Sequence, residues 1–252
     1  MTQARKYRLL CPIARALDLV GDRWALLILR DLHAGPARFG ELLDGLSGIA
    51  SNLLASRLDE IVAGGLVRKI PGPHQVTVYE LTPLGASTAN LLYELAAFGS
   101  RLPPDPEHRD PGNRRAVAVT LKVASSRVVA PQLTLRAELR LDGEPFAIAV
   151  DNGRVDIVAR PAVAPQVILE TDYESMVAVT DGVMTLEAFA SRLTIASTEP
   201  DAVRELLILL SAAVQRIAKD APAANEASLE TAAAGSGASR RDRSSRRTRQ
   251  RR

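Results

Sequence analysis

A chain of 252 residues, 46% of them hydrophobic, can bury a sizeable core and is longer than one typical domain, so two domains are expected. Its single cysteine excludes an internal disulfide, and its three scattered histidines have no metal-ligand spacing, so no cofactor is expected. The formal net charge of +3 is uneven along the chain, at +2 over residues 1–101, −4 over 102–220 and +5 over 221–252.

Near the N-terminus, Arg5, Lys6 and Arg8 precede an apolar stretch, but Arg15, Asp18, Asp22 and Arg23 interrupt it too early for a signal-peptide core. The apolar run Leu206 to Leu210 falls far short of the roughly 18 residues a membrane span needs. A cytoplasmic protein with no membrane insertion is expected.

From Cys11 the pattern is helical. Pro12 suits a first turn, Ile13, Leu17 and Val20 recur at helical spacing, and Gly21 stops the run. A second helix is predicted from about Arg23 to His33, with Trp24, Leu27, Ile28 and Leu32 on one face and Gly35-Pro36 as terminator. A short third helix covers Phe39 to Leu43. A fourth begins near Ser51, with Leu54, Leu58 and Ile61 as its buried stripe and Gly64-Gly65 at its end. Leu66 to Ile70 and Val76 to Leu81 flank the turn-rich Pro71-Gly72-Pro73 and predict a β-hairpin. A last helix over 84–98 carries Leu84, Leu91, Leu92, Leu95 and Phe98.

Residues 102–114 are Pro-rich and polar and predict a linker. Beyond it the period changes to two. From Leu133 to Leu141 every odd residue is apolar and the even ones are polar, so one sheet face is buried and the other wet. Further strands are expected at 117–123, 146–150, 154–159, 166–170 and 192–196, and helices at 172–178, 185–191 and 201–218. This makes 115–219 an α+β domain. Residues 220–252 are Ala/Ser/Gly-rich and then Arg-rich, with too few large apolar residues to offset the entropy of ordering, and read as a disordered tail. Its Arg240 to Arg252 run would condense on phosphates without reading sequence.

Three helices, a turn, a further helix and a two-stranded wing over residues 1–101 form an α+β winged helix-turn-helix, whose recognition helix enters the major groove of double-stranded DNA. At 100° per residue Asn52, Ala55, Ser56 and Asp59 point away from the buried stripe. Asn52 is suited to adenine, and Ser51, Ser56 and the helix N-terminus to bases or phosphate. Arg57 flanks the stripe and can reach either DNA or an internal carboxylate. Arg38, Arg68, Lys69 and His74 are candidate phosphate contacts. Trp24 belongs to the core.

Cys11-Pro12, Gly21-Asp22-Arg23-Trp24 leading into Leu27-Ile28-Leu29-Arg30, Arg38-Phe39 with Glu41-Leu42, Ile49 with Leu54, Arg57-Leu58 and Gly65-Leu66-Val67 resemble the HxlR-type winged-helix regulators over about residues 9–100. The resemblance implies a homodimer paired through its first and last helices, a repressor that is nucleoid-associated when bound, and half-sites about 34 Å apart. Many relatives have serine at the position of Ala50, so the helix cap is expected to fall to Ser51. Cys11 matches a position at which some relatives sense oxidants, which makes it a candidate redox residue; an inert packed cysteine is the alternative.

Residues 115–218 resemble the sterol-carrier-protein type 2 fold, in Val167 to Leu169, Asp172-Tyr173 and Asp181-Gly182-Val183 through Leu186-Glu187-Ala188-Phe189. That resemblance implies an apolar tunnel for a hydrophobic small-molecule effector, with Leu193, Ile195, Leu206, Leu209 and Leu210 as candidate lining; ordinary core is the alternative for each. No Gly-rich phosphate loop, Gly-x-Ser-x-Gly elbow or motif-placed carboxylate pair points to an enzyme. A hydrophobic-ligand carrier whose helical domain serves protein contacts is the competing reading.

Overall fold

The computed structural model describes residues 6–99, 102, 114–128, 133–152, 154–180, 183–197 and 199–220. Most of the expected linker and nearly all of the expected tail lie outside the described residues.

The N-terminal region opens with α1 (Pro12–Val20), entered by a proline in its first turn, and α2 (Ala25–Leu32). The short strand β1 (Ala37–Arg38) leads directly into α3 (Phe39–Gly45), and α4 (Ser51–Ala63) follows. Strands β2 (Val67–Pro71) and β3 (Thr77–Leu81) form the wing, in the register Arg68↔Glu80 and Lys69↔Tyr79. The sequence pattern did not single out β1. It adds a third strand by pairing Ala37 with Tyr79 and Arg38 with Val78. Trp24, Ile28, Leu29, Leu42, Leu54, Leu58, Ile61 and Val67 fill one core.

The helix expected over 84–98 is instead two, α5 (Pro83–Ala86) and α6 (Ala89–Gly99). The break has a local cause. The Ser87 and Thr88 hydroxyls donate to the carbonyls of Leu84 and Gly85, both at 2.6 Å, and so compete with a continuous helical ladder. Gly85 also lies so close to the wing that a Cβ there would sit 2.0 Å from the Leu66 carbonyl oxygen. Of the expected apolar stripe only Leu92 is buried, while Leu91, Leu95 and Phe98 are exposed.

Residues 117–123, expected as a strand, are helical and belong to α7 (Ala116–Ser126). The reason is visible in their burial. Ala118, Val119, Leu121, Val123 and Ala124 are all buried, because α7 packs on both sides, and a helix without a wet face shows no 3.6-residue hydrophobic period. Its valines then read as β-formers.

The second region is a five-stranded sheet among the described residues, in the order β6-β5-β4-β7-β8. Its strands are β4 (Leu135–Leu141), β5 (Glu144–Asp151), β6 (Arg154–Val158), β7 (Val167–Thr171) and β8 (Thr194–Ser197). Strands β4 and β7 pair in parallel and the other neighbours are antiparallel. Helices α8 (Tyr173–Thr180), α9 (Leu186–Ala190) and α10 (Pro200–Asp220) complete it. Leu135, Leu139, Phe146, Ile148 and Leu169 from the sheet share a core with Leu121 of α7 and Leu206, Leu209 and Val214 of α10. The opposite face is not uniformly wet. Glu138 is only 4% exposed, and its carboxylate accepts from Arg140 Nε and from the Ala162 backbone N–H, both at 2.8 Å. A buried charge paired in this way keeps its hydrogen bonds although it leaves water.

Helix α7 joins the two regions. Val119 sits in the winged-helix core, while Ala34 and Tyr93 sit in the core of the sheet region. Arg115 donates to the carbonyls of Asp31 (3.1 Å) and Gly35 (2.6 Å), and Lys122 donates to that of His33 (3.2 Å). These carbonyls end α2 or follow it closely, where cations satisfy orphan acceptors and the helix dipole. The Ala159 N–H donates to the Ala34 carbonyl at 2.7 Å.

His33 is 5% exposed at this junction, and its Nε2 lies 3.0 Å from Thr88 Oγ1. The Thr88 proton is already donated to Gly85, so His33 Nε2 carries the ring proton and donates. Burial, assisted by the Lys122 charge, lowers the imidazole pKa from 6.5 to about 4. Between those values the unfolded chain binds a proton that the folded chain excludes, so stability is expected to fall as pH drops from 6.5 towards 4. Urea midpoints across that window check it. His33→Gln should flatten the slope, and equal slopes in the two proteins would remove His33 as the cause.

Candidate nucleic-acid interface

Helix α4 presents the outward residues its periodicity predicts. Leu54, Leu58 and Ile61 are buried, while Ser51, Asn52, Ala55, Ser56 and Asp59 are exposed. Its N-cap is Ala50, with extended backbone (φ −77°, ψ 144°) and no side-chain cap. The expectation that Ser51 caps the helix is therefore corrected: Ser51 is already the first helical residue and cannot fold back as a cap does. Asn52 Oδ1 instead accepts from the Leu53 N–H at 2.9 Å, which turns the amide NH2 into the end free to donate. Ser56 Oγ donates to Glu60 at 3.3 Å.

The basic candidates are placed by carboxylates. Arg57 Nε is 3.1 Å from Asp22 Oδ1, and its guanidinium also pairs with Glu60. The same Asp22 oxygen accepts from the Trp24 N–H at 2.9 Å, so the Gly21-Asp22-Arg23-Trp24 turn is fixed to the recognition helix through Arg57. Of the two routes left open by the sequence, the internal one is present as an ion pair, although Arg57 Nε makes no hydrogen bond. On the wing, Arg68 pairs with Glu80 at 3.0 Å. Lys69 bonds Asp59 of α4 at 3.0 Å and lies over the Tyr79 ring at 5.8 Å, joining wing to recognition helix.

Arg38 is exposed at the N-cap of α3, its backbone N–H donating to Glu41 at 2.6 Å. The β1–β3 pairing brings it beside the wing. At the wing tip His74 and Gln75 hold left-handed φ values of 56° and 60°, and the tip closes through Gly72 N–H to Val76 O at 2.7 Å. His74 is exposed. Exposed Cys11 stands at the N-cap of α1. Arg57–Glu60 is a local i,i+3 pair, and the sequence left an internal carboxylate open for Arg57, whereas the pairs Arg57–Asp22, Arg68–Glu80 and Lys69–Asp59 join residues distant in the chain, and sequence reasoning did not name them.

Of the candidate ligand-lining residues, Leu193 and Leu210 border an apolar cavity of about 30 Å³, together with Leu121, Met176, Phe189 and Val214. Leu206 and Leu209 are packed core, and Ile195 is 43% exposed on the edge strand β8. A second apolar cavity of about 130 Å³ shares Leu121 and Met176 and is completed by Ala116, Val117, Thr120 and Ile217 among others. Sequence reasoning missed the α7 side of both, because it read α7 as a strand. A polar cleft of about 460 Å³ lies among Glu41, Asp44, Arg114, Arg115 and Glu144, where Arg114 is engaged by Asp142 and Glu144 and Arg115 by carbonyls. No helix among the described residues is long and apolar enough to cross a membrane.

The HxlR-like helix-turn-helix pattern matches residues 19–105. An HTH-type transcriptional regulator of Synechocystis is 32% identical over 93 residues, which make up 36% of this chain and 69% of that relative. One from Mycobacterium tuberculosis is 39% identical over 97 residues, 38% of this chain and 61% of that relative. The regulator YodB of Bacillus subtilis is 30% identical over 95 residues, 36% of this chain and 85% of that relative. The solved reduced form of YodB overlays 38% of this chain with a TM-score of 0.34.

Proposed function

We propose a function on the premise that this chain belongs to the HxlR-like helix-turn-helix transcriptional regulators: it reads duplex DNA as a homodimer, represses by occupying its site, and responds to a hydrophobic small molecule held by its second region. The observation that carries the DNA reading is α4, whose buried stripe turns Asn52, Ala55 and Ser56 outward beside a wing bearing Arg68, Lys69 and His74. Ser51 and Arg38 flank this surface, and Arg57 serves as the strut behind it. Dimer formation is supported by the apolar residues that α1 and α6 leave exposed, Ile13 and Leu17 on one, Leu91, Leu95 and Phe98 on the other.

What supports the effector reading is the layering of helices on the five-stranded sheet and the two apolar cavities that share Leu121 and Met176. These volumes are well below the roughly 300 Å³ at which small-molecule pockets begin, so a fatty acyl chain would enter by displacing α7, α8 or α10.

Binding of a duplex selected in vitro by the full chain tests the DNA reading. Asn52→Ala is expected to cost about 1–3 kcal/mol and relax sequence preference at one position, whereas Arg68→Ala weakens all sequences alike and lowers the salt slope by less than about 1, because Glu80 already neutralises part of that charge. Unchanged affinity and preference in both variants would sink the assignment of α4 and the wing.

A further inference from the structure

We infer that α7 is the lever that carries occupancy of the apolar cavities to the DNA-reading head; the inference rests on the reading of those cavities as an effector site. Helix α7 has two faces, and each is committed to a different region. At 100° per residue Arg115, Val119 and Lys122 cluster on one side, while Val117, Thr120 and Leu121 cluster about 180° away. The first set holds the head: Arg115 and Lys122 bond the carbonyls of Asp31, Gly35 and His33 at the end of α2, and Val119 enters the winged-helix core. The second set walls the cavities, with Leu121 common to both.

A ligand that widens the cavities must press on the second face, and a close-packed helix responds as a body. The movement then reaches two places. One is α2, whose Ile28 and Leu29 pack in the same core as Leu54 and Leu58 of the recognition helix. The other is α6, where Arg127, just beyond α7, stacks on Tyr93 at 4.3 Å and pairs with Glu94 at 3.0 Å. Helix α6 also carries the exposed Leu91, Leu95 and Phe98, so one displacement can alter both the pose of α4 and the spacing between two copies of it. Such coupling requires only that the ligand favour one position of α7 over another.

The experiment uses the full chain, palmitate as the probe and a duplex selected in vitro, with duplex affinity measured with and without saturating palmitate. In the unmodified protein palmitate is expected to change duplex affinity by about fivefold or more. Lys122→Met and Arg115→Ala, which touch neither cavity lining nor the outward face of α4, should still bind palmitate and duplex separately within about twofold, while the fivefold effect falls towards one. Trp24, the sole tryptophan and buried in the head, gives a second readout: palmitate should shift its emission in the unmodified chain and not in the variants. If both variants keep the full effect, or if palmitate binds without altering duplex affinity, the lever is wrong and the effector site stands. If palmitate does not bind at all, the effector site itself is removed, and the lever with it.

Discussion

A chain carrying Leu95→Asp and Phe98→Asp is expected to sediment as a monomer and to bind its duplex at least about 100-fold more weakly than the unmodified protein. Both residues are exposed on α6, at 42% and 56%, so aspartate there disturbs no core of the single chain. In a dimer the same positions leave water, and a carboxylate with no partner cannot follow them cheaply. In the proposed homodimer, losing the second α4 would convert a bivalent contact into a single one, and linked binding commonly supplies a factor of about 10² to 10⁴. Circular dichroism should be unchanged. A double variant that remains dimeric, or a monomer with undiminished affinity, would reject this face or the need for pairing.

Leu58→Ala is expected to destabilise the head by about 2–5 kcal/mol, a large share of the roughly 5–15 kcal/mol that holds a typical domain folded. Leu58 is completely buried in the middle of the α4 stripe, among the side chains that include Trp24, Ile28 and Leu29. Truncation leaves a cavity that helices fixed by Arg57 and Asp22 can close only in part. Ala55 on the opposite face is exposed, and Ala55→Ser should change stability by no more than about 0.5 kcal/mol. Urea unfolding followed through Trp24 reports both. A Leu58→Ala loss below about 1 kcal/mol would mean that α4 is not seated as described.

These two helices show where the chain is readable and where it is not. The α4 stripe is legible because the helix has one dry and one wet face, so burial writes a 3.6-residue period into Leu54, Leu58 and Ile61. The wing is legible because Pro71-Gly72-Pro73 interrupts two short β-rich runs. Helix α7 is opaque for the opposite reason. It touches two regions, loses its wet face, and its Val117, Val119 and Val123 imitate a strand. The break between α5 and α6 was hidden in two hydroxyls, Ser87 and Thr88, whose effect depends on which carbonyls they find. In the candidate interface the outward amide and hydroxyls followed from helical geometry, as does the i,i+3 pair of Arg57 with Glu60, whereas Asp22, Glu80 and Asp59 reach Arg57, Arg68 and Lys69 through a proximity that no local pattern encodes. The candidate pocket residues on α10 shared one apolar period, which cannot distinguish Leu210 at a cavity wall from Leu206 in solid core.

The carboxylates beside the basic residues of the head have a consequence for how the protein searches DNA. Asp59 and Glu80 hold Lys69 and Arg68 at 3.0 Å, so these cations arrive at a duplex with resident counterions of their own. A phosphate must displace a tethered anion before it gains the contact, and fewer mobile ions are released when it does. Indiscriminate adhesion to any duplex is thereby discouraged. On the proposed reading, contacts from Asn52 and Ser56 at a fitting site would hold the duplex in place long enough for the exchange to succeed. Tethered acids beside bases thus widen the gap between right and wrong DNA by penalising the wrong one, and predict a residence time that varies with sequence far more than the rate of arrival does.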